Sequence, residues 1–422
     1  MHLLMEYINV LLYLLLFIIL YRRKCNKVAI LATGLWLLSA VIGLLYVQMP
    51  MPIYKNALGH DLTFAPFLYL FVCFFITLLP LLSNREDVRL IYTTKKHLLY
   101  PFLWILAVCA LFPFLESLFY LIKMVITGQF MTMAANYDDI SEGNIRGFQV
   151  SYISNRILVL LTCMKLITPI LFFYVYQNVK ASKYLKIGLF IASITPAVNN
   201  MCNGGRVETV FITLYYIALY LLLKEALNEN ARKLLKKISL YIFVVIGTAF
   251  IAMTVGRFVL GDKFGGGSAL DFIFQYTSEG MFNFDNSLYY VKKSTDGLAT
   301  SWTIMNHLGL TDSLPVNYTD FLTVRLGVPG WWFYTYIGDL YADFGFVGTL
   351  LWISTLSFVF LMIRMRRNMD IADLFLYSIY LHIVVNGLFY YPHKISFEPI
   401  YAGIMFFLLF KINISSDYYK IK

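Results

Sequence analysis

The chain has 422 residues, 59% hydrophobic, 18% aromatic and only 14% charged, with a mean hydropathy of +0.69. A soluble domain cannot bury that much apolar surface, so a water-soluble globular class is excluded. The net charge of +10 would suggest nucleic acid in a soluble protein, but here the basic residues punctuate apolar runs and read as membrane-orienting charge, with no nucleic-acid partner.

In chain order, about eleven apolar runs approach the roughly 20 residues needed to cross a bilayer core. They lie near 3–21, 28–48, 63–82, 98–122, 156–177, 186–202, 206–223, 238–259, 336–362, 372–391 and 397–412. An all-α integral membrane fold is expected, because an open strand edge is not tolerated in lipid. The first run is followed by Tyr21, Arg22, Arg23 and Lys24 without a small-residue cleavage site, so it reads as a span, not a signal peptide. Roughly two-thirds of the 34 basic residues fall in alternate loops, from Arg22–Lys27 to Lys411–Lys422. That bias expects the N-terminus outside and the C-terminus in the cytoplasm. The expected organisation is spans one to eight in 1–259, a large outer loop in 260–335, and spans nine to eleven in 336–422. A loop of that length is usually functional or structured in its own right. The five cysteines have no metal-ligand or CxxC spacing and read as small buried apolar residues.

The first chemical constellation runs from Asn199 to Glu208 and contains Gly204, Gly205 and Arg206. Thr195-Pro196 is expected to bend or stop the sixth helix, and Arg206 and Glu208 to open the seventh. Permissive glycines, helix N–H groups and a guanidinium together suit an anion such as a phosphate. The competing reading is a tight turn in which Arg206 snorkels and Glu208 complements the helix dipole.

Arg257, at the outer end of the eighth run, needs a partner or ligand, or else snorkels to the interface. Trp331, Trp332 and Tyr336 lead into a run with Asp339 and Asp343 on one helix face, followed by Gly345 and Gly348. The acids suit proton transfer from a sugar hydroxyl, the aromatics suit sugar stacking, and the glycines suit a close helix neighbour. A plain aromatic belt with helix-start acids is the rival. Arg325, His307 and the Tyr391–Lys394 segment, with His393, are weaker single signals. Lys165 and Glu116 fall within apolar runs and either pair structurally or line a pore. Nucleotide-binding, hydrolase-elbow and metalloprotease patterns are missing, so an ATPase or nucleotide-sugar enzyme has no support.

Some eleven spans, a late outer loop, an outer Gly204-Gly205-Arg206 and the run from Tyr334 through Asp343-Phe344-Gly345 to Gly348 resemble Wzy-type polysaccharide polymerases. The architecture also resembles the GT-C-like polymerase and ligase group. The resemblance implies an enzyme of the bacterial inner membrane that joins undecaprenyl-diphosphate-linked oligosaccharide repeats of O-antigen or capsule. It implies no cofactor or metal, and leaves open a chain-length regulator as partner. On that chemistry, Arg206, Arg257 and Arg325 with Gly204 and Gly205 would bind the diphosphate. Asp339, Asp343 and Glu208 would serve the acceptor hydroxyl, and Trp331, Trp332, Tyr336 and His393 the sugars. An O-antigen ligase and a non-enzymatic flippase of lipid-linked oligosaccharide are the alternatives.

Overall fold

The structure is a computed structural model. It describes residues 2–48, 62–82, 89–91, 96–136, 145–177, 181–224, 227–233, 269–302, 318–330, 332–365, 368–393 and 398–418, with isolated positions between them. Its helices are α1 (His2–Arg22), α2 (Lys27–Gln48), α3 (Phe64–Leu82), α4 (Lys96–Cys109), α5 (Leu111–Ile126), α6 (Gln129–Ala135) and α7 (Tyr152–Cys163). They continue with α8 (Ile167–Gln177), α9 (Lys183–Cys202), α10 (Val207–Leu223), α11 (Ala269–Asn283), α12 (Tyr318–Leu326), α13 (Thr335–Arg364), α14 (Ile371–Asn386) and α15 (Glu398–Tyr418). Two three-residue strands, β1 (Arg89–Ile91) and β2 (Asn368–Asp370), pair in parallel.

Among the described residues, six helical runs are long and apolar enough to cross a membrane: α1, α2, α3, the joint run Leu99–Ile126, α9 and α13. The bent pair α7–α8 makes a seventh if it counts as one span. This is an α-helical membrane protein whose apolar helices suit a bilayer. The apolar helices α10 and α14 are shorter, at 17 and 16 residues. The expected span at 238–259 lies outside the described residues apart from Thr248.

The described residues fall into two compact units, and neither is one continuous stretch of chain. The first unit combines 1–86, 270–366 and 380–397. Here α1 buries Glu6, Asn9, Tyr13, Leu16 and Leu20, at three- and four-residue spacing, and turns Leu4, Leu11, Leu15 and Ile19 outward. That is the pattern of a helix with one packed stripe and one lipid face. Tyr13 and Trp36 lie with ring centroids 5.6 Å apart, and Trp36 stacks on Phe74 at 4.6 Å. Such pairs add about 0.5–1.5 kcal/mol beyond burial.

Helix α13 has two halves. Gly345, at φ 65° and ψ −170°, interrupts it in a region open essentially to glycine alone. A Cβ at Gly345 would meet nothing within 4 Å. The glycine therefore provides a backbone break, not the close helix contact expected from sequence. Gly348 likewise faces only Phe344, on the other side of that break, at 2.7 Å.

The second unit combines 87–269, 367–379 and 398–422. Its central helix α9 packs against α4, α5, α8 and α10. A Cβ on Gly188 would lie 2.6 Å from Ala107 Cβ, so only glycine permits this approach to α4. Helix α9 runs through Pro196 to Cys202, the limit expected for the sixth span. The expected span at 156–177 is not one straight helix: α7 and α8 meet at 79°. Lys165 sits in that break, its N–H donating to Thr162 O at 3.3 Å. At the start of α14, Lys411 Nζ lies 2.7 Å from Asp370 and 3.0 Å from Asp373. All five cysteines are free, with Cys25, Cys73 and Cys202 buried.

Candidate functional site

In the second unit, the Asn199–Glu208 segment is a helix-to-helix turn with both ends defined. Asn203 is the C-cap of α9, and Gly204 follows at φ +77°. Gly204 N donates to Met201 O at 3.0 Å and Gly205 N to Asn200 O at 2.9 Å. These two bonds, with a left-handed glycine, are a Schellman motif. Both glycine N–H groups are thus consumed in closing α9 and do not cradle a phosphate, which corrects the diphosphate role expected of Gly204 and Gly205. A Cβ on Gly204 would fall 2.7 Å from Met133 O, because α6 lies directly against the turn. Met124, Phe130, Ala134, Met201 and Cys202 form the small apolar core beneath it.

Arg206 is the N-cap of α10, half-buried, and Glu208 lies in the first turn. Glu208 Oε1 accepts from Lys165 Nζ at 2.9 Å, with side chains 32% and 10% exposed respectively. The α7–α8 break therefore brings a cation to the start of α10. Glu208 is committed to an ion pair, which removes it as an acceptor-hydroxyl base. Of the two readings of Lys165 and Glu116, the structural pair does not form. Glu116 instead accepts from Ser151 N at 2.7 Å, Ser151 Oγ at 2.7 Å and Ser154 Oγ at 2.6 Å, where α7 begins. A carboxylate at a helix N-terminus is favoured by the unpaired N–H groups there.

In the first unit, several buried acids surround the start of α13. Asp343 is fully buried. It accepts from the Thr295 hydroxyl, from Ala299 N at 3.0 Å and from Thr300 N at 2.6 Å. Three donors tie the carboxylate to the 295–300 turn, so Asp343 is an anchor and not a base. Asp339 is 5% exposed, and its Oδ2 accepts from Tyr391 N at 2.6 Å. It joins α13 to the segment after α14. Asp285 accepts from Thr63 N at 2.9 Å and Thr63 Oγ1 at 3.1 Å.

Thr335 opens α13 at φ +64°, a costly position for a β-branched residue. It persists because Thr335 N donates to Phe389 O at 3.1 Å and Tyr336 N to Gly387 O at 2.7 Å. A Cβ on Gly280 would lie 3.1 Å from both Leu388 O and Thr335 Cγ2, so α11 presses its backbone against this crossing. Glu279, beside Gly280, is buried to 9% exposure and accepts from Gln275 Nε2 at 2.8 Å. Burial pushes its carboxyl up to about 8, and the Gln275 hydrogen bond pulls in the other direction. The Tyr334 phenol is pushed up by burial first, then by the Asp339 and Glu279 carboxylates. Sequence reading missed Glu279 because it lies in no known motif. Its only signal was a Gln-x-x-x-Glu spacing amid aromatic residues.

The remaining expected residues separate. Tyr336 is 1% exposed, with its hydroxyl on Thr77 Oγ1 and its ring edge-on to Trp36 at 6.2 Å. It is a core residue and cannot stack on a sugar. His393 is fully buried, its ring 5.2 Å from His382 and 5.7 Å from Tyr391, and so is also removed from sugar contact. Trp332 is half-buried, 6.5 Å from Tyr334 between ring centroids. Arg325 lies on α12, 3.7 Å from the exposed Asp296. Arg257, Trp331, His307 and Lys394 lie outside the described residues. Among the described residues, no group of three or more His, Cys, Asp or Glu is placed to hold a metal ion.

No protein-family model matches this chain, and neither a curated protein nor a solved structure is significantly similar to it.

Proposed function

We propose that the protein is a polysaccharide polymerase of the bacterial inner membrane. It joins undecaprenyl-diphosphate-linked oligosaccharide repeats at the extracytoplasmic face, with the N-terminus outside and the C-terminus in the cytoplasm. The reading is carried by one observation: Lys165 and Glu208 meet at 2.9 Å at the start of the apolar helix α10, which Arg206 caps. Charges placed among apolar helices are expensive and are usually kept by a partner or a ligand. Arg206 and Lys165 are the cations suited to a diphosphate headgroup.

The leaving lipid diphosphate gains negative charge as the glycosidic bond breaks. Fixed cations favour that state over the ground state. The acceptor sugar needs a hydrogen-bond acceptor for its hydroxyl. The late-chain aromatics and the Asp343-Phe344-Gly345 break fit the resemblance to Wzy-type enzymes. O-antigen ligase chemistry would use the same leaving group with a lipid-core acceptor.

A non-enzymatic flippase of lipid-linked oligosaccharide is the second reading, favoured by Glu6. This acid is 1% exposed within the apolar α1, and neither carboxylate oxygen has a hydrogen-bond partner within ordinary distance among the described residues. Asn9 is the polar group beside it on the helix. An unpaired intramembrane acid is the kind of group a transport path uses.

Deletion of the gene, followed by a polysaccharide gel, separates the three. Loss of the ladder with a single repeat left on the lipid core means polymerase. Loss of every repeat from the core, with polymer left on its carrier, means ligase. Inward-facing lipid-linked repeats accumulating in the membrane mean flippase.

A further inference from the structure

We propose that Glu6 is a proton-binding site inside the first unit, where α1 meets α2 and α11. The site is independent of the polymerase reading and stands under any of the three functions. Glu6 is 1% exposed, and neither carboxylate oxygen has a hydrogen-bond partner among the described residues. Two other helices close on it. A Cβ on Gly43 of α2 would lie 3.3 Å from Glu6 Oε2 and 3.1 Å from Phe282 Cζ of α11. The missing side chain at Gly43 leaves the room that the carboxyl and the Phe282 ring occupy.

The polar groups around the carboxyl supply no countercharge. On α1, Asn9 lies about one turn further and Tyr13 about two turns, on the same buried stripe. Asn9 is a neutral amide whose Nδ2 lies 3.5 Å from Met281 Sδ of α11. Tyr13 is a fully buried phenol whose hydroxyl has no partner among the described residues. On α2, the Tyr46 ring lies 6.0 Å from Phe282. On α11, Glu279 accepts from Gln275. Just beyond α11, Asp285 acts on Glu6 as a like charge, and Thr63 donates to it at 2.9 and 3.1 Å. None of these groups is a cation.

A lone ionised carboxylate in such a place costs far more than the neutral acid, because nothing replaces the water it gave up. Binding one positive charge removes that cost. A hard metal ion takes about six oxygen ligands or more. Here Phe282, Met281 and Tyr13 stand where such ligands would be needed. A proton requires a single carboxylate oxygen. In the step, a proton from the aqueous phase bonds to a Glu6 carboxylate oxygen and gives the neutral acid; release reverses it. No electron moves and no co-reactant is consumed. Uptake and release switch the place where α1, α2 and α11 meet between neutral and negative.

The test is infrared difference spectroscopy on purified protein in liposomes, comparing wild type with Glu6→Gln. A neutral carboxyl has a C=O band that a carboxylate lacks and that shifts in heavy water. At neutral pH, wild type should exceed E6Q by the band of one carboxyl per chain. That excess should fade as pH rises and return when pH is lowered. Glu279 is present in both proteins and cancels. Identical spectra for the two proteins overturn the proposal, as does an excess that no change of pH removes. An excess that appears only when Na⁺ is withdrawn at fixed pH assigns a metal cation in place of the proton, and overturns it too. If E6Q does not reach the membrane, wild-type membranes are treated with a hydrophobic carbodiimide, which attacks neutral carboxyls in apolar surroundings. An adduct mapped to Glu6 by mass spectrometry supports the proposal, and an unmodified Glu6 sinks it. Neither outcome depends on the polysaccharide gel.

Discussion

Glu279 makes a prediction at the level of single residues that does not depend on function. Its carboxyl is raised by burial from 4.5 to about 8. Between those values the unfolded chain has lost the proton that the folded chain still holds. Stability should therefore be full below pH 4.5 and decline as pH rises toward about 8. In E279Q this component disappears, so thermal melting in detergent should show a flatter pH profile than wild type. Asp343 makes a second prediction. Asp343→Asn sets an amide NH₂ against a buried donor of the 295–300 turn, at a cost of about 1–3 kcal/mol. Protease cleavage near Thr295 should speed up; unchanged cleavage with lost activity would restore Asp343 as a candidate base. Lys165→Ala should destabilise by less than the roughly 3–5 kcal/mol of a fully buried pair, because Glu208 is 32% exposed. The double variant with Glu208→Ala should recover part of the loss in a double-mutant cycle on melting temperature.

At the level of elements, the apolar runs were legible because a spanning helix leaves a composition signal about 20 residues long. The breaks inside them were not. The 79° bend beside Lys165 accompanies an ion pair to a residue 43 positions away, which no local pattern records. Gly345 carries a hinge instead of a packing contact, and the two roles leave the same letter in the sequence. For Gly204 and Gly205 the sequence left a turn and an anion site open, and their N–H groups close α9. Asp339 and Asp343 do share a face of α13, yet their donors come from Tyr391 and from the 295–300 turn, both distant in sequence. Gly204→Ala tests the turn directly. It forces an L-residue to φ +77° and puts a Cβ 2.7 Å from Met133 O. A loss of about 1–3 kcal/mol is expected, read as a lower melting temperature; no change would mean that α6 does not constrain the turn.

For the whole molecule, the apolar composition and the six to seven candidate spans among the described residues establish a membrane protein, and the polar groups left inside it carry the functional proposal. Basic loops should face the cytoplasm if charge bias sets the orientation. A cysteine placed in the 295–300 turn should then react with an impermeant maleimide in intact cells, and one placed beside Lys186 should not. The most direct measurement uses purified protein in liposomes, supplied with lipid-linked repeats extracted from the deletion strain. The account predicts a ladder of polymer and one undecaprenyl diphosphate released per repeat joined. Repeats that stay single, or that cross the bilayer without joining, would contradict it.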